Sequence, residues 1–515
     1  MSSQQLRETV ISLHEGDTVA IARRPIPAGT MLVDDTRAIR VPVDVPAGHK
    51  VALAEVRVGA AVRKYGQPIG VATQDIHVGD HVHSHNLSIS DFSRDYAYGA
   101  DALDEQPIPA DQRATFQGIV RPDGRVATRN FIGILTSVNC SATAAKLIAN
   151  QFRTGSPLLE EYERVDGVVA LTHGSGCGMA ASGEGMDILR RTLSGYARHP
   201  NFAGLLVIGL GCEVNQISAL TEGFDVPDYV PVVDMTIQDL GGTRATVNEG
   251  VARIRDMLSA ANGARRTTVS ASELVLGLQC GGSDGYSGIT ANPALGVASD
   301  RLVRNGGTSI LGETPEVYGA EHLLTRRAVT PDVGKRLIER IEWWERYVAA
   351  SSGSMDNNPS PGNKAGGLTT ILEKSLGAVA KGGHANLAGV YEYAEQVGVK
   401  GFVFMDTPGY DPVSVTGMVA GGANIVCFTT GRGSVFGCKP VPSIKLSTNS
   451  DTYHRMTDDM DINCGEILDG VATVDEMGDR IFERMLEVAS GQLTKSEEIG
   501  LGDEEFTPWQ LGAVM

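Results

Sequence analysis

The sequence has no run of 18 apolar residues, and its start, MSSQQLRETVISLHEGD, lacks an apolar signal-peptide core. Neither a membrane-spanning helix nor secretion is expected. Basic runs are missing too. Lys and Arg number 44 against 62 Asp and Glu, a formal charge of −18, and such a field repels nucleic acid and anionic membranes. The seven cysteines include no C-x-x-C pair and are unevenly spaced, which argues against a closed structural zinc site and a disulfide framework. No glycine-rich loop carries GK[ST], and GLGCEVNQ lacks GxGxxG spacing, so phosphate-loop and nicotinamide chemistry are discounted. A cytoplasmic protein with free thiols is expected, one that needs a metal or placed cations to hold any anionic substrate.

What is present reads as a large, loop-rich α/β protein. Hydrophobic residues make up 42% of the 515 positions, ample for a core, and at about 150 residues per domain the length suggests roughly three domains. The 62 glycines follow no triplet period and read as tight loops, some letting backbone approach a ligand. Residues 1–95 are short alternating strands (TVISLH, DTVAIA, QPIGVAT) broken by Gly and Pro, a small all-β module. Residues 96–113, acidic and Pro-punctuated, read as a linker. In 114–265, strand-like segments such as FIGILTSVNC, VDGVVALTHGSGC and FAGLLVIGLGC alternate with helical segments, the pattern of a doubly wound, mainly parallel sheet. Residues 266–515 restart that pattern at ELVLGLQCGG and end, from about Thr494, in a segment read as a surface arm or subunit contact. The fold class is α/β: a β module followed by a large parallel-sheet region in two parts.

Cys140, Cys177, Cys212 and Cys280 each stand where an apolar strand gives way to a loop before a helix. In a parallel sheet such positions share the carboxyl edge, where ligands bind and helix N-termini favour thiolates. Cys177, Cys212 and Cys280 are therefore expected to line one pocket and to serve as metal ligands. HVHSHN places His81, His83 and His85 at period 2 on one face of an extended strand; with His14, His83 and His85 are candidate ligands for a first-row divalent metal.

Further candidates sit in glycine-rich loops. LQCGGSDGYSGITANPALG offers Ser283, Asp284, Thr290 and Asn292 to a polyhydroxylated or carboxylated ligand, and NPSPGNKAGG offers Asn363 and Lys364. Lys364 is a candidate base, with Glu313 or His173 as its acid–base partner. Glu313 follows the strand TSILG, whereas Glu321 reads as solvent-facing on a helix. Arg432, between two glycines in TTGRGSVFG, suits carboxylate recognition.

GHKVALAEV, KYGQPIG and HVHSHN, then GLGCEVNQ, QCGGSDGYSGITANPALG, NPSPGNKAGG and FTTGRGSVFG, closely resemble the altronate/galactarate dehydratase family of sugar-acid dehydratases. The resemblance runs over nearly the whole chain. It implies an N-terminal SAF (β-clip) module at about 8–90, loss of water from a sugar acid to give a 2-keto-3-deoxy acid, and dependence on a divalent metal, Fe(II) first and Mn(II) second. HVHSHN resembles the altronate branch, which makes D-altronate the expected substrate and galactarate the alternative. HGSGCGM departs from the altronate pattern. A sulfolactate-type lyase, usually split between two chains, fits a fused chain less well, and a non-enzymatic sugar-acid-binding protein would not need ligand loops on three segments. Three strand-edge cysteines holding a [4Fe–4S] cluster is the other way to supply a Lewis acid. A homo-oligomer, most simply a dimer, is expected, with no nucleic-acid or membrane partner.

Overall fold

The computed structural model describes residues 3–89 and 94–512. Its first module is mainly β, with one short helix at Leu6–Thr9 and three small sheets whose backbone reverses at Gly29, Gly48, Gly59 and Gly79, with φ of 82°, 78°, 80° and 92°. These left-handed turns call for glycine. At Gly79 a Cβ would also lie 2.1 Å from the Arg40 carbonyl oxygen. HVHSHN is less extended than its period suggests: only His81–Val82 is strand, and the next residues turn, with the Asn86 N–H donating to the His83 carbonyl at 3.0 Å.

The second part comprises β1 (Phe131–Thr136), α1 (Ala142–Ala149), β2 (Gly167–Leu171), α2 (Glu184–Ala197), β3 (Phe202–Gly209), β4 (Val232–Thr236) and α3 (Thr243–Ala261). The strands are parallel in the order β2-β1-β3-β4. Ile132 and Ile134 pack under α1 and α3, while Phe131 and Leu135 pack under α2. Period-2 burial on both faces is what a doubly wound sheet requires.

The third part adds β5 (Val275–Cys280), α4 (Ala291–Arg304), β6 (Thr308–Leu311), α5 (Pro331–Ala350), α6 (Pro361–Ala365), α7 (Ile371–Ala378), β7 (Leu387–Tyr391), β8 (Gly401–Met405), α8 (Asp411–Ala420), β9 (Ile425–Thr430), β10 (Ser443–Ser447), β11 (Ile462–Asn463) and α9 (Val474–Ala489). Its seven parallel strands run β7-β8-β6-β5-β9-β10-β11, so chain order reverses around β5. The crevice outside the carboxyl ends there is where such sheets bind ligands. α8 meets α2 so closely that a Cβ on Gly195 would lie 2.4 Å from the Ala420 carbonyl oxygen.

Three sequence readings are corrected. The four register cysteines do not share one sheet: Cys140, Cys177 and Cys212 follow strands of the four-stranded sheet, and Cys280 closes β5 of the seven-stranded one. The terminal segment is no free arm. Trp509 stacks on Trp344 at 5.3 Å and Phe506 meets Tyr196 edge to face at 4.7 Å, strapping the two α/β parts together. Glu321 is buried and accepts from the Tyr96 hydroxyl at 3.2 Å, because the linker, which carries Tyr96, packs over it.

The β module shares an apolar cluster with the third part, Val62, Ile69 and Leu87 lying in one with Leu376 and Val379, and a buried charge group adds to that docking. Lys50 and Lys64, both buried, donate to the two oxygens of Glu373 on α7 at 2.8 and 2.9 Å. Among the described residues no helix is long and apolar enough to cross a membrane.

Candidate metal and acid–base centre

The carboxyl ends of β5 and β6 bring Cys280, Glu313 and Glu316 together. Their ligand atoms lie within 4.8 Å of one another, and among the described residues this is the one such set of three His, Cys, Asp or Glu groups. Cys280 Sγ is 3.5 Å from Glu313 Oε2 and 3.4 Å from Glu316 Oε2. Glu313 reaches inward at a cost: it is left-handed, φ 66° and ψ 62°, its N–H held by Thr407 Oγ1 at 2.7 Å. A long side chain in that region is sparsely tolerated and collects at functional sites.

Two cations flank the set. Lys381 donates to Cys280 Sγ and to Glu313 Oε2, both at 2.8 Å. Lys374 donates to Glu316 Oε1 at 2.6 Å and to Asn358 Oδ1 at 2.8 Å. Burial opposes the Lys381 charge, but Cys280 and the glutamates outweigh it and hold the ammonium above its ordinary range. Burial and then Glu316 push Glu313 up, while Glu316 ends below the usual carboxylate range because Lys374 and Lys381 overcome its burial. Burial, then Glu313, raises the Cys280 thiol. Asp411, at the start of α8, is pushed up to about 7 by burial and then by Glu313 and Glu316. It is poised to exchange a proton near neutrality.

The donor set fits a first-row divalent ion. One thiol sulfur and two carboxylates mix soft and hard ligands, and beside them Gln279 Oε1 is buried without a hydrogen-bond partner while its Nε2 donates to Glu313 Oε1 at 2.7 Å.

From Cys280 the loop runs outward into a cavity of about 830 Å³ between this sheet and the β module. Gly282 O accepts from the Gly431 and Arg432 N–H groups at 3.1 and 2.9 Å, which ties the cavity wall to the buried centre. Arg7, Arg23, Arg24, Arg432 and Arg455 line the cavity. The Arg432 side chain is exposed.

The structure sorts the remaining sequence candidates by position. Asp284 lines the cavity, but its carboxylate already accepts from Thr448, Asn449, Ser287 and the Tyr286 N–H. Asn363 caps α6 and donates to the Ser283 carbonyl at 2.9 Å. Thr290 donates to the Thr448 carbonyl, and Asn292 bridges Gly377 and Thr429, both fully inside. His173 is far from Cys280 in sheet membership and spends both nitrogens, on Thr136 O and Ser175 Oγ; burial lowers it to about 4.

His83 and His85 join a cluster that His14 does not. His83 stacks on His49 at 4.8 Å between ring centroids, His49 Nδ1 meets His81 Nε2 at 3.0 Å, and the His81 and His85 rings lie 5.4 Å apart. His14 is exposed and receives the Gly16 N–H. The cluster abuts α6: His83 Nε2 lies 2.9 Å from the Lys364 carbonyl oxygen and His49 Nε2 lies 3.2 Å from that of Ala365. Burial, then neighbouring imidazoles, lowers His81 to about 3, and burial lowers His49 to about 4, so both rings are neutral at pH 7.

Sequence reasoning missed His49, Gln279, Lys374, Lys381 and Asp411. The one available signal was ILEKSLGAVAKG, where charges interrupt an otherwise apolar or small-residue helix.

All three parts of the chain match known family descriptions: "Altronate/galactarate dehydratase SAF domain" over residues 8–90, "D-galactarate dehydratase/Altronate hydrolase, second domain" over 118–262, and "D-galactarate/Altronate dehydratase, C-terminal" over 271–514. The altronate dehydratase of Bacillus subtilis (strain 168) is 36% identical over 495 residues, covering 95% of this chain and 97% of that protein. The galactarate dehydratase (L-threo-forming) of Escherichia coli (strain K12) is 38% identical over 503 residues, covering 96% and 95%. The altronate dehydratase of the same strain is 36% identical over 489 residues, covering 95% and 96%.

Proposed function

This chain belongs to the D-galactarate/altronate dehydratase family, and we propose that within it the enzyme is a metal-dependent hydro-lyase that removes water from a sugar acid, D-altronate in the first reading, to give a 2-keto-3-deoxy acid. The observation that carries this is the convergence of Cys280, Glu313 and Glu316 beside Lys374, Lys381 and Asp411; the arginine-lined cavity is separate from it and is joined to it by the loop after Cys280. Galactarate is the second reading, favoured by guanidinium groups on several walls, which suit a substrate with a second carboxylate.

Dehydration next to a carboxylate needs the C2 proton removed while negative charge builds on the carboxylate, and the C3 hydroxyl protonated as it leaves. A divalent ion, Fe(II) first and Mn(II) second, held by Cys280, Glu313 and Glu316 would supply Lewis acidity to both ends. Lys374 and Lys381 hold the Glu316 carboxylate ionised, and Lys381 opposes the burial that pushes Glu313 up. Arg432 clamps the substrate carboxylate. Lys364, on α6 with its backbone carbonyl against His83, takes the C2 proton through its side-chain amine. Asp411 in its acid form gives a proton to the departing hydroxyl.

Two outcomes follow. With Asp411 as the acid, kcat/KM falls on the alkaline side with an apparent pKa at or below about 7, since a bound cation lowers a neighbouring carboxyl. Asp411→Asn removes that limb along with most of the activity; an unchanged pH profile assigns the proton elsewhere. Arg432→Lys keeps the charge but loses the planar fork, and is expected to raise KM by the equivalent of about 1–3 kcal/mol with kcat nearly held. The deciding experiment is a screen of aldonates and aldarates for 2-keto acid formation, with and without chelator. Full turnover in excess chelator, with metal content confirmed as nil, overturns the metal-assisted reading.

A further inference from the structure

We propose that Cys140, Cys177 and Cys212 form a second, independent metal site: a three-thiolate seat for an iron–sulfur cluster on the carboxyl edge of the four-stranded sheet. Each follows one of three neighbouring strands, β1, β2 and β3. The registers Leu135 to Leu171 and Thr136 to Ile208 bring the three strands out at the same level.

The loops that carry the cysteines are laced together. The Asn139 N–H donates to the Ser175 carbonyl at 3.0 Å, the Asn215 N–H to the Gly176 carbonyl at 3.0 Å, and Asn215 Nδ2 to the Ser137 carbonyl at 3.1 Å. Residues beside each cysteine are thus bonded to residues beside another. Gly176 makes the lacing sterically possible: its φ is 95°, and a Cβ there would lie 2.2 Å from the Ser137 carbonyl oxygen. Glu213, a buried carboxylate, fixes the third loop by accepting from Ser137 Oγ at 2.6 Å and from the Gly211 N–H at 2.6 Å. This is how a protein preorganises ligands.

The three thiols themselves are exposed and free, unlike Cys280, Cys427 and Cys464, which are buried. Their spacing excludes a single ion as the natural guest. At Zn–S bonds of about 2.3 Å, tetrahedral thiolates sit about 3.8 Å apart, and among the described residues no such three-membered group exists here within 4.8 Å. Three strands at ~4.8 Å spacing instead spread the loops over ~5–10 Å, the reach of a cluster whose thiolates sit on different irons. With three protein ligands the fourth iron stays open to solvent or an oxygen ligand. On binding, each thiol gives up one proton. Two Fe(II), two Fe(III) and four sulfides make a core of charge +2, and three thiolates bring the assembly to −1, so no oxidant is needed.

The test is anaerobic incubation of the full chain with equal ferrous and ferric iron and stoichiometric sulfide. Wild type is expected to take up about five irons per chain, four in the cluster and one at the Cys280 centre, with about four sulfides, to gain a broad visible absorption, and to shield Cys140, Cys177 and Cys212 from iodoacetamide, read by peptide mass. Cys140→Ser, Cys177→Ser and Cys212→Ser each lose the absorption, whereas Cys280→Ser keeps it. A colourless wild type, an absorption that survives in the triple serine variant, or one lost only in Cys280→Ser overturns the proposal. The alkylation footprint needs no variant, so a misfolded mutant does not shield the idea from failure.

Discussion

Glu313→Gln is expected to lower kcat by about 10³-fold, the equivalent of roughly 4 kcal/mol of Lewis-acid stabilisation in the transition state. The amide removes one of the two carboxylates that face Cys280 Sγ, at 3.5 Å, and with it the anionic oxygen a divalent ion would use. The fold should survive. The glutamine oxygen still accepts from Lys381, which also keeps Cys280, and the repulsion between Glu313 and Glu316 is relieved. Metal analysis should therefore show stoichiometric Fe(II) or Mn(II) in wild type, little in the variant, and melting temperatures close together. Wild-type turnover with wild-type metal content in the variant would remove Glu313 from the centre.

Glu373→Gln should act on stability instead, costing about 3–5 kcal/mol, because it leaves two buried ammonium groups without a counter-charge. Lys50 and Lys64 have no water to turn to, and Thr369 contributes only a hydrogen bond to the same carboxylate, at 2.7 Å. Urea unfolding and limited proteolysis between the β module and the α/β region measure the loss. The triple variant Lys50→Met, Lys64→Met, Glu373→Leu should recover most of it, since apolar replacement of a whole buried charge group is often neutral or better. If Glu373→Gln unfolds like wild type, the triad is not what docks the module. Because His49 and His83 contact α6 from that module, loosened docking should also depress activity.

The architecture was legible because it is written locally. Alternation in Ile132, Ile134 and their neighbours, the strand–helix rhythm and the glycine turns are short-range patterns, and each fixes its element without reference to the rest of the chain. HVHSHN shows the limit: its period predicts a strand, yet the Asn86 side chain accepts from the His83 N–H at 2.9 Å and closes a turn instead. The histidines still converge, but through His49, thirty-odd residues earlier.

By itself, then, the sequence determined the α/β class, the β module, the parallel carboxyl edges and the presence of cysteines upon them. Only the tertiary structure decided that Cys280 leaves the company of Cys177 and Cys212, because strands with the same local signature are sorted into sheets by pairing partners far along the chain. It alone also placed Lys374, Lys381 and Asp411 against Glu313 and Glu316. A charged residue on a helix reads as solvated until its partner is known, and the opposite charges that make burial of Lys381 tolerable lie 68 residues away, at Glu313.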